Sequence, residues 1–431
     1  MPPAEYEHNS RHVAFLVNWF PMISEVFIMN AAADLARRGV AVDIIGVWGI
    51  EGPTDQCHAV EQELRTSPLV RIIGPEHMHH RRNRLLTMPR VLHTLIRRHG
   101  LCATLSLLGD AMRNKGTGFL AQAAALSHER YDAVHCHFAT IGPLAVRLKA
   151  LGVITAPVVV HFRGYDITRF VAEQGEEVYD EVFAKADWFI ANCQAFADRA
   201  IALGCPAERV DIISSGLDLD AFPFQPRIAR AAGALRLVGI GRLVEKKGFH
   251  VAIAAMRILE SQGIDARLKL IGEGEERERL EVLIEQHGLQ GRVELAGALP
   301  HSAIARHLAE ADALIAPCIT AANGDQDAPV NTIKEAMASA TLVIGSHHGG
   351  IPEIIEDGVN GWLCAEGDAQ DLADRIKRML SETACWGAVR RAARQTIERH
   401  HSLDLATRKF LEVYAKARAW HSSSGISATK L

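Results

Sequence analysis

No Cys-x-x-Cys pair occurs in this 431-residue chain, and its eight cysteines (Cys57, Cys102, Cys136, Cys193, Cys205, Cys318, Cys364 and Cys385) lie scattered. That spacing argues against a zinc ribbon and fits reduced, mostly buried thiols of a cytosolic protein. No run of about 18 apolar residues exists, so no membrane span is expected. The start lacks the charged and apolar regions of a secretion signal. Net charge is only −4, which argues against nucleic acid as the main partner. There is no internal repeat and no low-complexity tract apart from a Ser-rich end, Ser422 to Ser427, expected to be disordered. What the chain does have is length and 48% apolar residues, enough for two domains with a sizeable core in each.

Short apolar runs alternate with amphipathic segments, the pattern of parallel sheets covered by helices on both faces. A first unit runs through HVAFLVNWF (His12 to Phe20), AVDIIGVW (Ala41 to Trp48), AVHCHF (Ala133 to Phe138) and PVVVHF (Pro157 to Phe162) and closes near WFIANC and RVDIISSG. A second runs through LRLVGIG (Leu235 to Gly241), ARLKLIG, RVELAG, ALIAP and LVIG. Pro223, Pro226 and Gly233 mark a linker over 217–234. The expected division is therefore 1–216, the linker, 235–402, a terminal helix over 403–421 and a tail over 422–431. The fold class is α/β, with two Rossmann-like doubly wound domains facing each other across a cleft at their strands' carboxyl ends.

The densest chemistry lies in GDQDAPVNTIKEAMASATLVIGSHHGGIPEIIEDGVNGWL, from Gly324. Pro329 stands where a helix can begin, and NTIKEAMA reads as helix with Asn331 in its first turn. Such a start offers free N–H groups to phosphate. Glu335, one turn in and eight positions after Asp327, can accept two hydrogen bonds from the vicinal hydroxyls of a ribose. Gly349 and Gly350 let a second turn approach closely before Pro352 opens a short helix that Gly358 ends. Asp325-Gln326-Asp327 mimics a metal-binding Asp-x-Asp motif, but no neighbouring acid or histidine completes an oxygen-rich site; no metal and no cofactor are expected.

This stretch resembles the signature of retaining glycosyltransferases of the GT-B fold, in the large fourth sequence family of that class: two acidic residues separated by seven, followed by GG-x-PE. Asp327 takes the first Glu position, with the proline one residue earlier than usual, so the shorter carboxylate must reach farther. GIGRLVEKKGFH (Gly239 to His250) is similar to the family's GRLxxxKG loop. There Arg242 offers a planar fork and Lys247 a point charge to a diphosphate leaving group, Gly241 and Gly248 let the loop close, and Lys246 reads as a further solvated charge. IGEGEERERL (Ile271 to Leu280) resembles the family's GxGxxxxxL turn near the nucleotide base and places Gly272 there. SSGLDLDAF (Ser214 to Phe222) resembles the junction before the second domain.

In the first domain, NWFPMISEVFIMN (Asn18 to Asn30) resembles the FPxxSETF loop of colanic-acid-type exopolysaccharide glycosyltransferases. Ser24 and Glu25 then either touch acceptor or donor phosphates or simply begin a helix. His135 and His137 fall on one side of a strand and match the family's HxHF; core histidine and, for His137, substrate contact are both open. At PVVVHFRGYDITRF the family shows FHGxDI. Arg163 aligns with its sugar-contacting His, so the inherited role must be electrostatic or hydrogen-bonding, with His161 a possible stand-in. Asp166 aligns with the loop-organising Asp, and both that role and a substrate role stay open.

The resemblance implies a cytosolic, metal-independent, retaining transferase that moves a hexose from a UDP- or GDP-sugar to a glycan or lipid-linked acceptor in surface polysaccharide assembly. It leaves open a sugar-nucleotide epimerase of the same fold and a catalytically silent sugar-nucleotide-binding relative. One region stands apart. From Arg71 to Arg98 seven arginines (Arg71, Arg81, Arg82, Arg84, Arg90, Arg97 and Arg98) face one acid, Glu76. Pro89 and Gly100 bracket an expected helix with Met88, Leu92, Leu95 and Ile96 on one face and Arg90, Arg97 and Arg98 on the other. It reads either as a core-packed helix with a solvated side or as a contact for an anionic membrane.

Overall fold

A strand covered by helices on both faces needs apolar residues in succession rather than in alternation, and Val13 to Val17 are all buried. They form the centre of β1 (His12–Phe20), which is joined by β2 (Ala41–Ile50), β3 (Val70–Ile73), β4 (Ala133–Cys136), β5 (Val158–Phe162), β6 (Trp188–Ala191) and β7 (Val210–Ile212). The second set is β8 (Leu235–Ile240), β9 (Ala266–Ile271), β10 (Val293–Leu295), β11 (Ala313–Ala316), β12 (Leu342–Ser346) and β13 (Trp362–Cys364). The computed structural model describes residues 11–22, 25–50, 59–74, 81–115, 118–127, 129–225, 233–327 and 330–424.

All pairings within the sheets are parallel. The strand orders are β3-β2-β1-β4-β5-β6-β7 and β10-β9-β8-β11-β12-β13. In each sheet the order reverses beside its first strand, between β1 and β4 and between β8 and β11. Such switch points open the crevices in which doubly wound folds bind ligands. The expected pair of doubly wound domains is thus what forms. The sequence reading misses β3 and β13. One is four residues long and carries the exposed Arg71; the other is three residues, too short for a period to register.

The helix Leu403–Ser423 starts where Ser402 Oγ accepts from Leu405 N at 3.3 Å. It packs Phe410, Val413, Tyr414 and Ala417 into the same core cluster as Val13, Phe15 and Ile28 of the first domain. It runs two residues past His421, so Ser422 and Ser423 are helical rather than tail; residues 425–431 lie outside those described. Leu217 pairs with Ser402 in an isolated bridge, joining the end of the first crossing to the start of the return.

The basic helix departs from its expected limits. It spans Arg81–Asp110 with Pro89 inside and bends at Gly100, whose φ of 81° suits glycine. Pro89 is exposed, so the carbonyl it leaves unpaired can meet water. Beyond the bend Thr104 Oγ1 donates to Gly100 O at 2.8 Å and the helix resumes. Leu95 is fully buried, but Ile96 is 43% exposed and lies off the buried face. Arg71 is not a free cation: it pairs with Asp43 at 2.6 Å and Glu129 at 3.0 Å. The helix expected from Pro352 to Gly358 is a single turn, Ile351–Glu353. Among the described residues no helix is long and apolar enough to cross a membrane.

Candidate functional site

At the carboxyl edge of the second sheet, the loops after β8, β9, β11 and β12 converge. Arg242 follows β8, is exposed, and pairs with no carboxylate among the described residues. Gly241 lies against the Lys247 chain, since a Cβ there would stand 3.2 Å from its Cε. A Cβ on Gly272 would meet Gly241 O at 1.8 Å and one on Gly349 would meet Asp327 O at 2.1 Å, so at both positions only glycine fits. Gly350 begins the turn Ile351–Glu353. Thr332 Oγ1 donates to Ile240 O at 3.4 Å, which seats the start of the helix Asn331–Ala338 at the end of β8. No side chain caps that helix start. Pro329 lies outside the described residues.

Asp327 does not stretch toward an empty space. Its Oδ2 stands 2.6 Å from Lys247 Nζ and its Oδ1 3.2 Å from Lys246 Nζ, while Lys246 also reaches Asp325 at 3.0 Å. Burial alone would raise the Asp327 carboxyl; Lys247 and Lys246 override it and hold it far below the ordinary carboxylate range. Lys246, read from sequence as a solvated charge, is therefore buried and paired. The Asp-x-Asp segment binds lysines. Asp327 N donates to His348 Nε2 at 3.1 Å, which fixes the loop from its other side.

Glu335 is 6% exposed, and its Oε1 lies 3.2 Å from His301 Nε2. Nothing in the motif spacing points to His301, which opens the helix His301–Glu310 after Pro300 and packs edge-on against Phe222 at 5.7 Å. The hydrogen bond to Glu335 raises the His301 pKa above its ordinary value despite burial. The imidazolium that grips Glu335 is thus retained below and just above pH 6.5 and lost as pH rises through the raised value. In His301→Asn the donor KM should lose the alkaline-side inflection shown by wild type. Superimposable profiles would remove His301 from the site.

Across the cleft Arg163, at the end of β5, is 8% exposed and holds the first domain's edge together. Its Nε donates to His137 O at 2.7 Å, its Nη2 to His137 Nδ1 at 2.9 Å, and its Nη1 to Ser215 Oγ at 3.2 Å and Asn192 Oδ1 at 3.4 Å. Burial lowers its pKa to about 10, opposed by Asp166 and Glu25, so it stays charged at neutral pH. Burial pushes the Glu25 carboxyl up to about 7 against the pull of Arg163. Glu25 precedes the helix Val26–Arg37 without capping it by its side chain; Ser24 lies outside the described residues.

Two histidine candidates lie beneath the first domain's edge. His161 is fully buried, with Nδ1 3.3 Å from His135 Nε2 and Nε2 2.9 Å from Asn192 Oδ1, so it is no stand-in for a sugar-contacting residue. His137 is equally buried and stacks on His135 at 4.1 Å, as the core reading expects, and its Nε2 meets no partner among the described residues. Asp166 is the loop-organising acid: it accepts from the backbone N–H groups of Ala139, Arg163 and Gly164 at 2.8 to 2.9 Å.

The ring nitrogens of His135, His137 and His161 come within 4.8 Å of one another, a spacing that a transition metal uses. Their hydrogen bonds assign the lone pairs elsewhere. A guanidinium only donates, so the Asn192 atom facing Arg163 is oxygen; His161 Nε2 then carries its proton, His161 Nδ1 accepts from His135 Nε2, and Tyr414 OH donates to His135 Nδ1 at 2.8 Å. Arg163 likewise obliges neutral His137 to carry its proton on Nε2. Burial, followed by the Arg163 charge for His135 and His161, holds these pKa values well below 6.5.

The two edges touch through residues that the motifs contain but whose partners they do not indicate. Glu353 accepts from the N–H groups of Gln194 and Ala195 at 2.8 and 3.1 Å, at the start of the helix Gln194–Ala202. Lys334 Nζ donates to Ser215 O at 2.5 Å, and burial lowers its pKa to about 7. Its neighbours in a helical run gave no sign that it would turn inward.

The sequence profile of glycosyl transferases group 1 matches residues 225–399, and that of a glycosyl transferase 4-like domain matches 24–216. The amylovoran biosynthesis glycosyltransferase AmsK of Erwinia amylovora is 32% identical over 93% of this chain and 98% of its own. A protein assigned to colanic acid biosynthesis, WcaL of Escherichia coli strain K12, is 30% identical over 92% and 98%. The crystal structure of Anabaena HepE with UDP and glucose superposes with a TM-score of 0.66 at 18% identity, over 94% of this chain and 99% of that one. Sheet order, the pair of facing carboxyl edges and similarity along nearly the whole length lead to one assignment: the chain belongs to the group 1 glycosyltransferases and has their two-domain GT-B fold.

Proposed function

We propose that the protein transfers a hexosyl group from a UDP- or GDP-sugar to a glycan or lipid-linked acceptor in surface polysaccharide assembly, with retention at the anomeric carbon and without a metal ion. The observation that carries this reading is the convergence at one edge of exposed Arg242, Lys247, the uncapped start of the helix Asn331–Ala338 and the carboxylate of Glu335. Residues 1–216 form the acceptor side and 235–402 the nucleotide-sugar side. Glu335 takes the ribose hydroxyls; Arg242 and Lys247 take the diphosphate, whose charge grows as the glycosidic bond breaks. The leaving phosphate receives the acceptor's proton, so the reaction asks for no protein base; the neutral, buried histidines of the floor suit this division of labour. Asp327 keeps Lys247 charged, and Glu25 and Arg163 line the opposite wall. The roles named for relatives, in amylovoran and colanic acid, support the surface-polysaccharide setting. We place the enzyme in the cytoplasm, in peripheral contact with anionic lipid.

Incubation with a panel of sugar nucleotides tests the reading. Slow release of UDP or GDP from one of them is the expected result. Interconverted sugars without release mean an epimerase, and thermal stabilisation without turnover means a silent binder.

A further inference from the structure

Beyond the bend at Gly100 the helix carries Leu101 and Leu105 four positions apart, 59% and 56% exposed, and Met112, 86% exposed, follows on the π-helical turn Ala111–Lys115 that continues it. On the opposite face Leu107 and Ala111 are buried in the same core cluster as Ile45 and Val47, so the segment is anchored rather than loose. Exposed Arg97 and Arg98 stand at one end of the apolar stripe and exposed Arg113 at the other, with exposed Arg90 a little before. None of these four pairs with a carboxylate among the described residues. The one acid of this segment, Asp110, is buried and bound to Arg147.

An apolar stripe flanked by unpaired arginines has two plausible occupants by chemistry: a second copy of the chain and a lipid surface. A twofold pairing through this face would set the same arginines of each copy near those of the other, with no acid to neutralise them. A bilayer with anionic headgroups takes both features at once, with arginines at headgroup level and leucines in the acyl boundary. We infer that the face formed by Leu101, Leu105 and Met112 with Arg97, Arg98 and Arg113 docks on an anionic bilayer. This rests on the proposed peripheral contact and deepens it by naming the surface, which keeps Arg97 and Arg98 of the sequence-marked arginines and extends beyond the bend. The side chains of Arg81, Arg82 and Arg84 lie outside the described residues.

Co-sedimentation with phosphatidylcholine vesicles, with and without phosphatidylglycerol, tests this on the full chain. Wild type should bind only the anionic vesicles and release with salt. Each exposed arginine is worth about five-fold in partitioning, so Arg97→Ser with Arg98→Ser should weaken binding on the order of twenty-fold. Leu101→Ser, Leu105→Ser and Met112→Ser together should abolish it with an unchanged melting temperature, and with nucleotide release from the donor in solution also unchanged. The inference is overturned if wild type ignores anionic vesicles at low salt, if the triple variant binds like wild type, or if the stripe instead holds a dimer in solution that the triple variant breaks. Docking by a protein that turns over no sugar nucleotide would leave this inference standing and remove the transferase reading alone.

Discussion

Asp327→Ala is expected to lower the unfolding free energy by about 3 to 5 kcal/mol, because it strands Lys247 in a largely buried setting without its counter-ion and leaves Lys246 with Asp325 alone. Urea unfolding of wild type and variant at pH 7 measures this. A loss under about 1 kcal/mol would mean that water reaches the lysines and the pairing is incidental. Asp327→Ala with Lys247→Met should recover part of the loss, since removing both charges leaves less unpaired. The pH dependence has a definite sign. Asp327 has a depressed pKa in the folded state, so its contribution is complete above the ordinary value of 3.8 and disappears as pH falls below it toward the folded value. The acid limb of the wild-type stability curve should therefore be steeper than that of the double variant.

Glu335→Ala is expected to abolish transfer with little change in stability, losing about 1.5 to 3 kcal/mol of donor binding, roughly 10- to 150-fold in affinity. Among the described residues His301 is its ion-pair partner, with the Lys334 charge also felt nearby, so the carboxylate is held by one side and left available to a ligand on the other. Titration calorimetry with the cognate nucleotide reads the affinity directly, and unchanged binding would remove the ribose assignment. Paired with the His301→Asn pH profile, it separates a failure of Glu335 from a failure of the residue that holds it.

The parallel sheets were readable because buried strands carry unbroken apolar runs, Val13 to Val17 in β1 and Val158 to Val160 in β5, a signal that needs no partner to be seen. The same holds for the helix at Asn331, which a proline, a polar start and a periodic run announce. What the sequence could not carry was pairing across long separations. That Asp327 faces lysines some eighty positions earlier, that Lys334 turns into the junction at Ser215, and that Glu335 meets His301 are results of bringing the segments after β7, β8, β10 and β11 together. The burial of His161 was hidden for a related reason: strand alternation gives a side, but not whether another layer covers it, and the returning helix Leu403–Ser423 covers this one with Phe410 and Tyr414.

Because Arg163 can only donate, a single side chain sets the amide of Asn192 and, through it, the proton positions along His161, His135 and Tyr414. The floor beneath the cleft is thus a row of dipoles with one orientation, insensitive to pH across the neutral range. Solvent in the same place would have to turn as charge moves from a sugar to a departing phosphate, and that turning is much of the barrier such reactions meet in water. In the proposed transfer, a row already oriented and neutral in that range would remove that motion, which would give Arg163 a part in the reaction even where it touches no substrate, by keeping the ground beneath it from responding.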